Sequence, residues 1–485
     1  MTVIKSMTLE SHVVDILGST KGRDQPIMLV ENALHLVELF EDFVFTDPDT
    51  VIVDPFCKAG EVLLAAALKS CFAHKSRPKP LASTDEIFHE LYSGRYYALA
   101  PDERHYLLSL RTFYGNERSH DGTFTQHIRN GNYLSETDGR LDKDKFEKEL
   151  SAMIDYIRKT KPDSSIVAIG NPPYQEADGG FGKSAKPIYN LFTETLIDCP
   201  DISQIVLVLP ARWFGGGKGL DHFRERMIQS KHIRHLRYFK NAAEVFPTVD
   251  INGSVCFLHW DKSFRGQTDF SDGSDHYTGD LSRYDIIPDD PRSFSIIEKI
   301  QKRWTGRWVS DVAWASKPFG LRTFHFQKHE GVDQQSENAV PCLSNGRIVK
   351  YVSSSEITKN KDKINLWKVA VPKAAGGSKG NRRSTIPINL ILLVPNGRVT
   401  TETYNIVHTF SSKAEAERMI TYLKTNFARY LLGLRKITQD IPPDRWAWVP
   451  LIDTSREWTD PELFDFFKLS QTERQHIHKK VQEWS

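Results

Sequence analysis

The sequence predicts an α/β fold, in which a doubly wound parallel sheet is followed by a mixed α/β C-terminal domain. Apolar runs of strand length alternate with helical patterns between residues 51 and 260. Two of these runs end abruptly in turns, at residues 54–60 and 170–174. Ligands of open α/β sheets bind beyond the carboxyl ends of the strands, so these two turns are the candidate site.

A composition break divides the chain. Residues 263–285 are rich in serine, glycine and aspartate and have almost no apolar periodicity, which predicts a linker. We therefore expect a first domain over residues 1–262 and a second over residues 286–485. Near the end, Thr459 with Glu462 and Ser470 with Glu473 form two capping boxes, each of which predicts the start of a short helix.

The composition predicts a soluble, cytoplasmic protein. Of 485 residues, 39% are apolar, which is enough for a globular core, and no run has the length of a signal peptide core or a membrane span. The net charge is only +2, so any nucleic-acid binding must depend on local basic patches. The five cysteines are scattered without a C-x-x-C pair, so we expect neither a zinc site nor disulfides.

The first turn joins a predicted strand at residues 51–53 to a predicted helix at residues 61–68. Gly60 allows the backbone to approach a ligand closely, and the carboxylate of Asp54 can accept hydrogen bonds from a cationic amino group. This is the first unit of a doubly wound nucleotide-binding fold.

The second turn follows the apolar run at residues 166–169 and has the sequence Gly-Asn-Pro-Pro-Tyr. Proline fixes its own φ and restricts the preceding residue, so the backbone of Asn171 and Pro172 is stiff. The amide oxygen of Asn171 and the carbonyl oxygen of Pro172 are then two fixed acceptors that suit an exocyclic NH2 group. Tyr174 offers a flat face to the ring that carries this group.

The tetrapeptide Asn171 to Tyr174 resembles motif IV of the S-adenosylmethionine-dependent amino-methyltransferases, chiefly those that methylate N6 of adenine in DNA. The order of the motifs and the large C-terminal domain resemble the γ-group of these enzymes. The residues within the motifs are similar to those of the Eco57I-like branch of restriction–modification methylases. The stretches that carry the resemblance are 54–60, 170–175, 184–190, 210–219, 434–440 and 457–460. The resemblance implies a Rossmann-like methyltransferase sheet followed by a DNA target-recognition domain.

The same resemblance implies a binding site for S-adenosyl-L-methionine. Residues 54–60 resemble motif I, which contacts the methionine part of the cofactor, and the helix predicted from Pro26 to Phe45 resembles motif X. Three positions depart from the family pattern: Lys58 replaces a glycine, Ala100 an acidic residue and Asn132 an aspartate. The cofactor-binding residues that the resemblance implies are Pro26, Asp54, Pro55, Phe56, Gly60, Asp102 for the ribose and Asn132 for the adenine.

The catalytic and substrate-binding residues follow from the motifs and from the basic loops. The resemblance makes Asn171, Pro172, Pro173 and Tyr174 catalytic, and Phe246, in a segment similar to motif VIII, a wall of the pocket for the extruded base. Loops rich in glycine and lysine suit a phosphate backbone. Their candidate DNA-binding cations are Lys183, Lys186, Lys218, Lys379, Arg382 and Arg383.

The predicted function is site-specific methylation of N6 of a flipped adenine in double-stranded DNA, as the modification enzyme of a restriction–modification system. Too little chain precedes motif I to hold a nuclease, so a cognate endonuclease would be a separate chain. Three other acceptors remain open, because ribosomal RNA adenine, protein glutamine and N4 of cytosine also present a planar NH2 group. A non-catalytic DNA-binding subunit remains a further alternative, raised by Lys58, Ala100 and Asn132.

Overall fold

The structure is a computed structural model, and it describes residues 28, 30–73, 84–118, 127–135, 140–176, 186–247, 253–375, 386–436 and 439–483. The chain divides into two compact units, Met1–Pro291 and Arg292–Ser485. The α/β fold predicted from the sequence is confirmed in the first unit.

The described part of the first unit is built on a nine-stranded sheet with the order β3-β2-β1-β4-β5-β7-β6-β8-β9. Strands β1 to β5 are mutually parallel, whereas β7 is antiparallel to both of its neighbours. The strands are β1 (Thr50–Asp54), β2 (Tyr96–Ala100), β3 (Ile128–Asn130), β4 (Ser165–Gly170), β5 (Ile202–Pro210), β6 (Ile233–Phe239), β7 (Val255–Asp261), β8 (Thr268–Ser271) and β9 (His276–Gly279).

Helices connect these strands, as expected for a parallel sheet whose β-branched, apolar strands are buried on both faces. All five residues of β1 and all five of β2 are buried. The helices are α1 (Val30–Val37), α2 (Phe43–Thr46), α3 (Glu61–Ala73), α4 (Thr84–Leu91), α5 (Glu103–Arg118), α6 (Lys143–Thr160), α7 (Tyr189–Asp198) and α8 (Asp221–Gln229).

The topology places the two turns of the sequence analysis beside each other. The strand order reverses between β1 and β4, which lie side by side in parallel, with Val53 opposite Ala168. Such a reversal opens a crevice at the carboxyl ends of the two strands, where ligands of open α/β sheets bind. The turn after Asp54 and the turn after Gly170 therefore share this crevice.

The helix predicted from Pro26 to Phe45 is only partly confirmed. The structure has α1 over Val30–Val37 and a separate short α2 over Phe43–Thr46. Ala33, Leu36 and Val37 are fully buried and belong to one hydrophobic core together with residues of α3. The apolar spacing thus predicted the buried face of this helix correctly, but it did not predict the break between α1 and α2.

The predicted linker at residues 263–285 is wrong, because this segment continues the sheet of the first unit. Strand β8 pairs with β6, the Phe270 side chain is fully buried, and Thr268 Oγ1 donates to the carbonyl of Ile233 at 2.8 Å. The polar composition belongs to a tight turn, in which Asp272 accepts hydrogen bonds from the backbone N–H groups of Ser274 and Asp275. The two compact units instead divide between residues 291 and 292.

The second unit contains two small sheets in its described part, with orders β11-β10-β14 and β13-β12-β15. Both predicted capping boxes are confirmed, since Thr459 with Glu462 and Ser470 with Glu473 make the reciprocal hydrogen bonds. The strands are β10 (Ala339–Leu343), β11 (Val349–Ser353), β12 (Trp367–Pro372), β13 (Leu392–Val394), β14 (Val399–Thr400) and β15 (Tyr404–Phe410). The helices are α9 (Pro291–Arg303), which starts at the division, α10 (His325–Lys328), α11 (Lys413–Leu423), α12 (Asn426–Arg435), α13 (Asp460–Phe466) and α14 (Gln471–Glu483).

Within the described ranges, no helix combines the length and the apolar character needed to cross a membrane.

Candidate active site

The turn after β1 holds a buried carboxylate at the sheet edge. Asp54 is 3% exposed, and its Oδ1 atom accepts a hydrogen bond from the backbone N–H of Phe56 at 3.0 Å. Burial raises the pKa of Asp54 to about 8, and the nearby Glu61 carboxylate adds to this rise. Because burial disfavours its charge, Asp54 would gain from a cation placed beside it.

Gly60 closes this turn with a φ of +83°, a value that favours glycine. An added Cβ atom at Gly60 would also lie 2.7 Å from a ring carbon of Phe113. Both observations favour glycine at position 60, where the sequence analysis predicts a close approach of the backbone to a ligand.

Glu61, at the start of α3, is a site residue that the sequence analysis missed. It is 2% exposed, and its two carboxylate oxygens accept hydrogen bonds from the backbone N–H groups of Met28 and Ala59, both at 3.2 Å. Glu61 therefore ties the segment before α1 to the turn after β1. The sequence feature that could have indicated this role is an acidic residue at the first helical position after Gly60. A carboxylate there also interacts favourably with the positive end of the helix dipole. Pro26 lies outside the described residues.

Asp102 follows the end of β2 and is 9% exposed. Both of its carboxylate oxygens lie 2.7 Å from Nδ1 of His105, and Oδ1 also accepts from the His105 backbone N–H. Burial opposes ionisation of Asp102, but the hydrogen bonds and charge of His105 outweigh it and lower the pKa. Asp102 is therefore an ionised acceptor that already holds one partner.

Asn132 lies after β3 and is exposed, with a left-handed φ of 41°. It borders a surface cavity of about 600 Å³ that is lined by residues 132–135 and 140–145. The next residue, Tyr133, is fully buried, and its hydroxyl donates to the carbonyl of Pro55 at 2.7 Å. This bond links the turn after β3 to the turn after β1.

The Phe56 side chain lies in the core, although the sequence analysis predicted it to be a cofactor contact. It is 1% exposed and packs against Phe146 and Phe192, with ring centroids 5.8 Å and 5.1 Å away. Its contribution to the turn is the backbone N–H that binds Asp54.

The turn after β4 lies directly against the turn after β1. Asn171 is 2% exposed, and Pro172 and Pro173 are also buried. A Cβ atom added at Gly170 would lie 2.5 Å from Asp54 Oδ1 and 3.1 Å from a ring carbon of Phe56. The absence of a side chain at Gly170 thus allows the Asp54 carboxylate to reach the start of the Asn-Pro-Pro-Tyr segment.

Tyr174, predicted to stack on the extruded base, and Phe246, predicted to form a wall of its pocket, pack against each other. Their ring centroids are 6.4 Å apart at an interplanar angle of 75°. Phe246 is fully buried, while Tyr174 is partly exposed. Asn32 in α1 donates to the carbonyl of Val245 at 2.7 Å, so the helix that resembles motif X also supports this segment.

The hydroxyl of Tyr174 and Oδ1 of Asn190 are buried near this turn, and neither has a hydrogen-bond partner among the described residues. Burial raises the pKa of Tyr174, so its hydroxyl is protonated at neutral pH. Buried polar atoms in this state indicate where a ligand or water would bind.

The loop after Tyr174 is closed at its base. Gln175 bridges to Pro187, and the backbone N–H of Glu176 donates to the carbonyl of Lys186 at 3.1 Å. Lys186 is exposed at this base, while Lys183 lies outside the described residues.

The other predicted DNA-binding cations lie elsewhere in the chain. Lys218 is exposed with a φ of 52°, in a turn whose glycines 216, 217 and 219 also have positive φ. Lys379, Arg382 and Arg383 lie outside the described residues. In the described ranges, no group of three or more histidine, cysteine, aspartate or glutamate residues is arranged to hold a metal ion.

Comparison with known proteins finds a family match over the part of the chain that contains the second turn. Residues 95–246 match the family model described as Eco57I restriction-modification methylase. This segment is thus similar to an Eco57I-type methylase domain. It includes Asp102, Asn132, the Asn171 to Tyr174 segment and Phe246, while the turn from Asp54 to Gly60 precedes it. The Eco57I-like resemblance stated from the motifs is confirmed for this domain.

A curated relative supports the same family. Over 105 residues the chain is 30% identical to a protein of Mycoplasma pneumoniae (strain ATCC 29342 / M129 / Subtype 1) described as an uncharacterized adenine-specific methylase. The alignment covers 21% of this chain and 25% of that protein. The chain thus spans about a quarter of the length of this relative.

Two solved protein–DNA complexes are similar to the chain at low sequence identity. A nuclease-deletion mutant of the Type ISP enzyme LlaGI, in complex with a DNA substrate mimic, has a TM-score of 0.47 at 11% identity, with 99% of this chain and 48% of that chain covered. The DrdV–DNA complex has a TM-score of 0.46 at 10% identity, with 91% and 59% covered.

Proposed function

We propose that the protein is a site-specific DNA methyltransferase that transfers a methyl group from S-adenosyl-L-methionine to N6 of an adenine extruded from double-stranded DNA. We further propose that it is the modification enzyme of a restriction–modification system. The observation that carries this proposal is the contact between the two turns, in which Gly170 leaves room for Asp54 Oδ1 beside the Asn-Pro-Pro-Tyr segment.

The turn after β1 fits a cationic cofactor. Asp54 is a buried carboxylate whose ionisation is suppressed, so a positively charged amino group beside it would be stabilised. The backbone at Gly60 allows close approach, and Asp102 and Asn132 are the candidate contacts for the ribose and the adenine. S-Adenosylmethionine, when bound, supplies an activated methyl group.

The turn after β4 fits a planar NH2 group. The Asn171 side-chain oxygen and the Pro172 carbonyl would accept the two N6 hydrogens, which directs the nitrogen lone pair away from them. Tyr174 would stack on the base, and its protonated hydroxyl brings no charge into the pocket. Rate enhancement then comes from positioning and electrostatics, so the reaction requires no covalent enzyme intermediate.

The target adenine must leave the duplex before it can occupy this turn. Extrusion costs on the order of a few kcal/mol, which stacking and hydrogen bonds in the pocket must offset. Lys186 and Lys218 are exposed and suited to the DNA backbone. We propose that the second unit recognises the target sequence, and that any cognate endonuclease is a separate chain.

The test is to express the full chain in a host that lacks adenine methylation and to sequence the host DNA with direct detection of modified bases. We expect N6-methyladenine at one recurring sequence. Asn171→Ala should remove this signal while S-adenosylmethionine still binds in calorimetry, because the first turn is unchanged. Asn338→Ala, the same substitution at an exposed position of the second unit, is the matched control and should methylate normally.

The outcome also separates the alternatives. N4-methylcytosine in the DNA would change the assigned base, and methylation found only in ribosomal RNA or protein would overturn the DNA assignment. Failure of the wild-type chain to bind S-adenosylmethionine would favour a non-catalytic DNA-binding subunit. Full activity of Asn171→Ala would contradict the assigned role of the Asn-Pro-Pro-Tyr segment.

A further inference from the structure

Arg224 in α8 carries a guanidinium group whose hydrogen-bonding capacity is only partly used. Its Nη1 atom donates to Asp221 Oδ1 at 2.9 Å, and the two groups form a salt bridge. Its Nε atom is buried and has no hydrogen-bond partner in the part of the chain that the structure describes. An arginine that binds an oxyanion side-on donates through two parallel N–H groups, on Nε and Nη2. This edge of Arg224 is therefore the one that Asp221 does not occupy.

Arg226, two residues later in the same helix, has a different environment. Both of its Nη atoms donate to the carboxylate of Asp198, through Nη1 to Oδ2 at 3.1 Å and through Nη2 to Oδ1. Arg226 thus already has a bidentate anionic partner within the chain. Arg224 contacts its carboxylate through one nitrogen atom and can bind a further anion. The side chain of Arg224 is 15% exposed, so it reaches the surface.

The loop before α8 packs against the Arg224 guanidinium group. All four residues from 216 to 219 have a positive φ, between 52° and 84°. A Cβ atom added at Gly216 would overlap the Arg224 guanidinium group and the Asp221 carboxylate, whereas one added at Gly217 would meet nothing within 4 Å. The absence of a side chain at Gly216 thus makes room for the guanidinium group.

This loop and α8 follow the same edge of the sheet as the Asn-Pro-Pro-Tyr segment, because β5 leads into the loop and is parallel to β4. Phe223, the neighbour of Arg224 in α8, packs against Tyr189 at the start of α7, with ring centroids 6.2 Å apart. The residue before it, Ile188, donates its backbone N–H to the carbonyl of Tyr174 at 3.1 Å. The start of α7 therefore connects the helix of Arg224 to the turn after β4.

We propose that Arg224 binds, through Nε and Nη2, a phosphate of the DNA backbone next to the extruded adenine. This inference rests on the proposed function, since it takes the base to lie at the turn after β4. A phosphodiester presents two unesterified oxygens, which match the two parallel N–H groups. Extrusion rotates a nucleotide about its backbone, so a fixed cation at a neighbouring phosphate holds the strand while the base leaves the duplex. Asp221 is then a positioning residue that orients the guanidinium group.

The experiment measures binding of the full chain to duplexes that contain the recurring methylated sequence. In each duplex one phosphate near the target adenine is replaced by a neutral methylphosphonate. We expect one replacement, in the strand that carries the adenine, to weaken binding by the wild type about tenfold, as for the loss of one charge-assisted contact. Arg224→Ala should bind the unmodified duplex about tenfold more weakly and lose nothing further with that replacement. Arg226→Ala is the matched control and should respond to it like the wild type.

Two glycine variants keep the test valid even if Arg224→Ala does not fold. Gly216→Ala displaces the guanidinium group, while Gly217→Ala has a similar backbone cost, since both glycines have a positive φ, and does not touch Arg224. We expect Gly216→Ala to lose the response to the methylphosphonate and Gly217→Ala to retain it. Equal responses of these two variants would overturn the inference.

The results also separate this inference from the proposed function. Equal sensitivity of the wild type and Arg224→Ala to every replacement would overturn the inference and leave the proposed function intact. A response of the wild type confined to the other strand would overturn the position of Arg224 next to the adenine. Absence of both methylation and sequence-specific binding by the wild type would overturn the proposed function together with this inference.

Discussion

The two turns that meet at the edge of the sheet differ in how they use polar groups. The turn after β1 concentrates charge, with Asp54, Lys58 and Glu61 all buried within eight residues of sequence. The turn after β4 is built from Asn171, two prolines and Tyr174 and carries no ionisable group other than the tyrosine. One turn is thus charged and the other neutral, although they are in contact through Gly170.

This difference matches two kinds of ligand. The proposed cofactor has a positively charged amino group, which a carboxylate can stabilise by pairing with it. Buried charges are tolerated only when they are paired. An exocyclic NH2 group on a neutral base needs fixed acceptors and a flat apolar face instead. If the proposed cofactor and base bind at these turns, the contact at Gly170 places the two binding sites side by side.

Gly170→Ala should have the largest effect on activity, because it disrupts the packing between the two turns. The added methyl group would lie 2.5 Å from Asp54 Oδ1 and 3.1 Å from the buried Phe56 ring, neither of which is a flexible chain end. We expect methyl transfer and cofactor binding both to fall by more than about 100-fold, and the unfolding free energy to fall by about 1–3 kcal/mol. Gly306→Ala, whose methyl would meet the partly exposed Trp304 ring, is the control. Normal cofactor binding by Gly170→Ala would show that the turns are independent.

Substitutions of Tyr174 test the neutral turn alone. Tyr174→Ala should lower kcat/KM for DNA by about 10- to 100-fold, since stacking on one base is worth roughly 1–3 kcal/mol, and should leave S-adenosylmethionine affinity unchanged. Tyr174→Phe keeps the stacking ring and removes only the hydroxyl, so its activity should fall much less than that of Tyr174→Ala. Equal losses in both variants would mean that the hydroxyl, and not stacking, carries the function.

The neutral turn was the easier one to predict from the sequence. Proline fixes local geometry, so the stiff backbone of Asn171 and Pro172 was predicted from four adjacent residues. The family motifs implied separate contacts of Tyr174 and Phe246 with the extruded base, and the structure brings the two rings together. The strands and most helices around them were also predicted, since strongly apolar runs leave few alternatives.

The charged turn was harder to predict because its contacts join residues far apart in sequence. Nothing local indicates that Glu61 binds the backbone of Met28, or that Gly170 must lack a side chain to accommodate Asp54. Ring packing placed Phe56 in the core and not at the ligand surface. The strands β8 and β9 were missed for a similar reason, because a polar turn between short strands has the composition of a linker.

Asp54→Asn tests the charged turn alone. It removes the carboxylate charge, while the amide oxygen can still accept the hydrogen bond from the Phe56 backbone N–H. We expect about tenfold weaker S-adenosylmethionine binding, from the loss of one charge-assisted contact, without loss of the fold. Because the pKa of Asp54 is raised to about 8 in the folded protein, the folded state keeps a proton that the unfolded state loses as the pH rises above about 4. The contribution of Asp54 to stability is therefore fully present at low pH and is lost as the pH rises through 8.

Thermal unfolding of wild type and Asp54→Asn at pH 5 and pH 8 measures this linkage. The variant should gain stability relative to the wild type on going from pH 5 to pH 8, by at most about 1.4 kcal/mol per pH unit. Asp47→Asn, at a partly exposed carboxylate whose pKa is lowered by its hydrogen bond to Thr50, is the control and should show no such gain. A constant difference between variant and wild type across this range would mean that Asp54 is ionised in the folded protein throughout.

The smallest effects are expected at two exposed cations, Lys186 and Lys218. Lys186→Ala and Lys218→Ala each remove one charge at the surface, and neither side chain is part of the buried site. If each contacts one phosphate, each substitution should weaken DNA binding about threefold at moderate salt and reduce the slope of log affinity against log salt by about 1. S-Adenosylmethionine affinity should not change, because the charged turn is untouched. A weaker DNA affinity with an unchanged salt slope would instead indicate that the substitution rearranges the loop. The lysine would then make no direct contact with a phosphate.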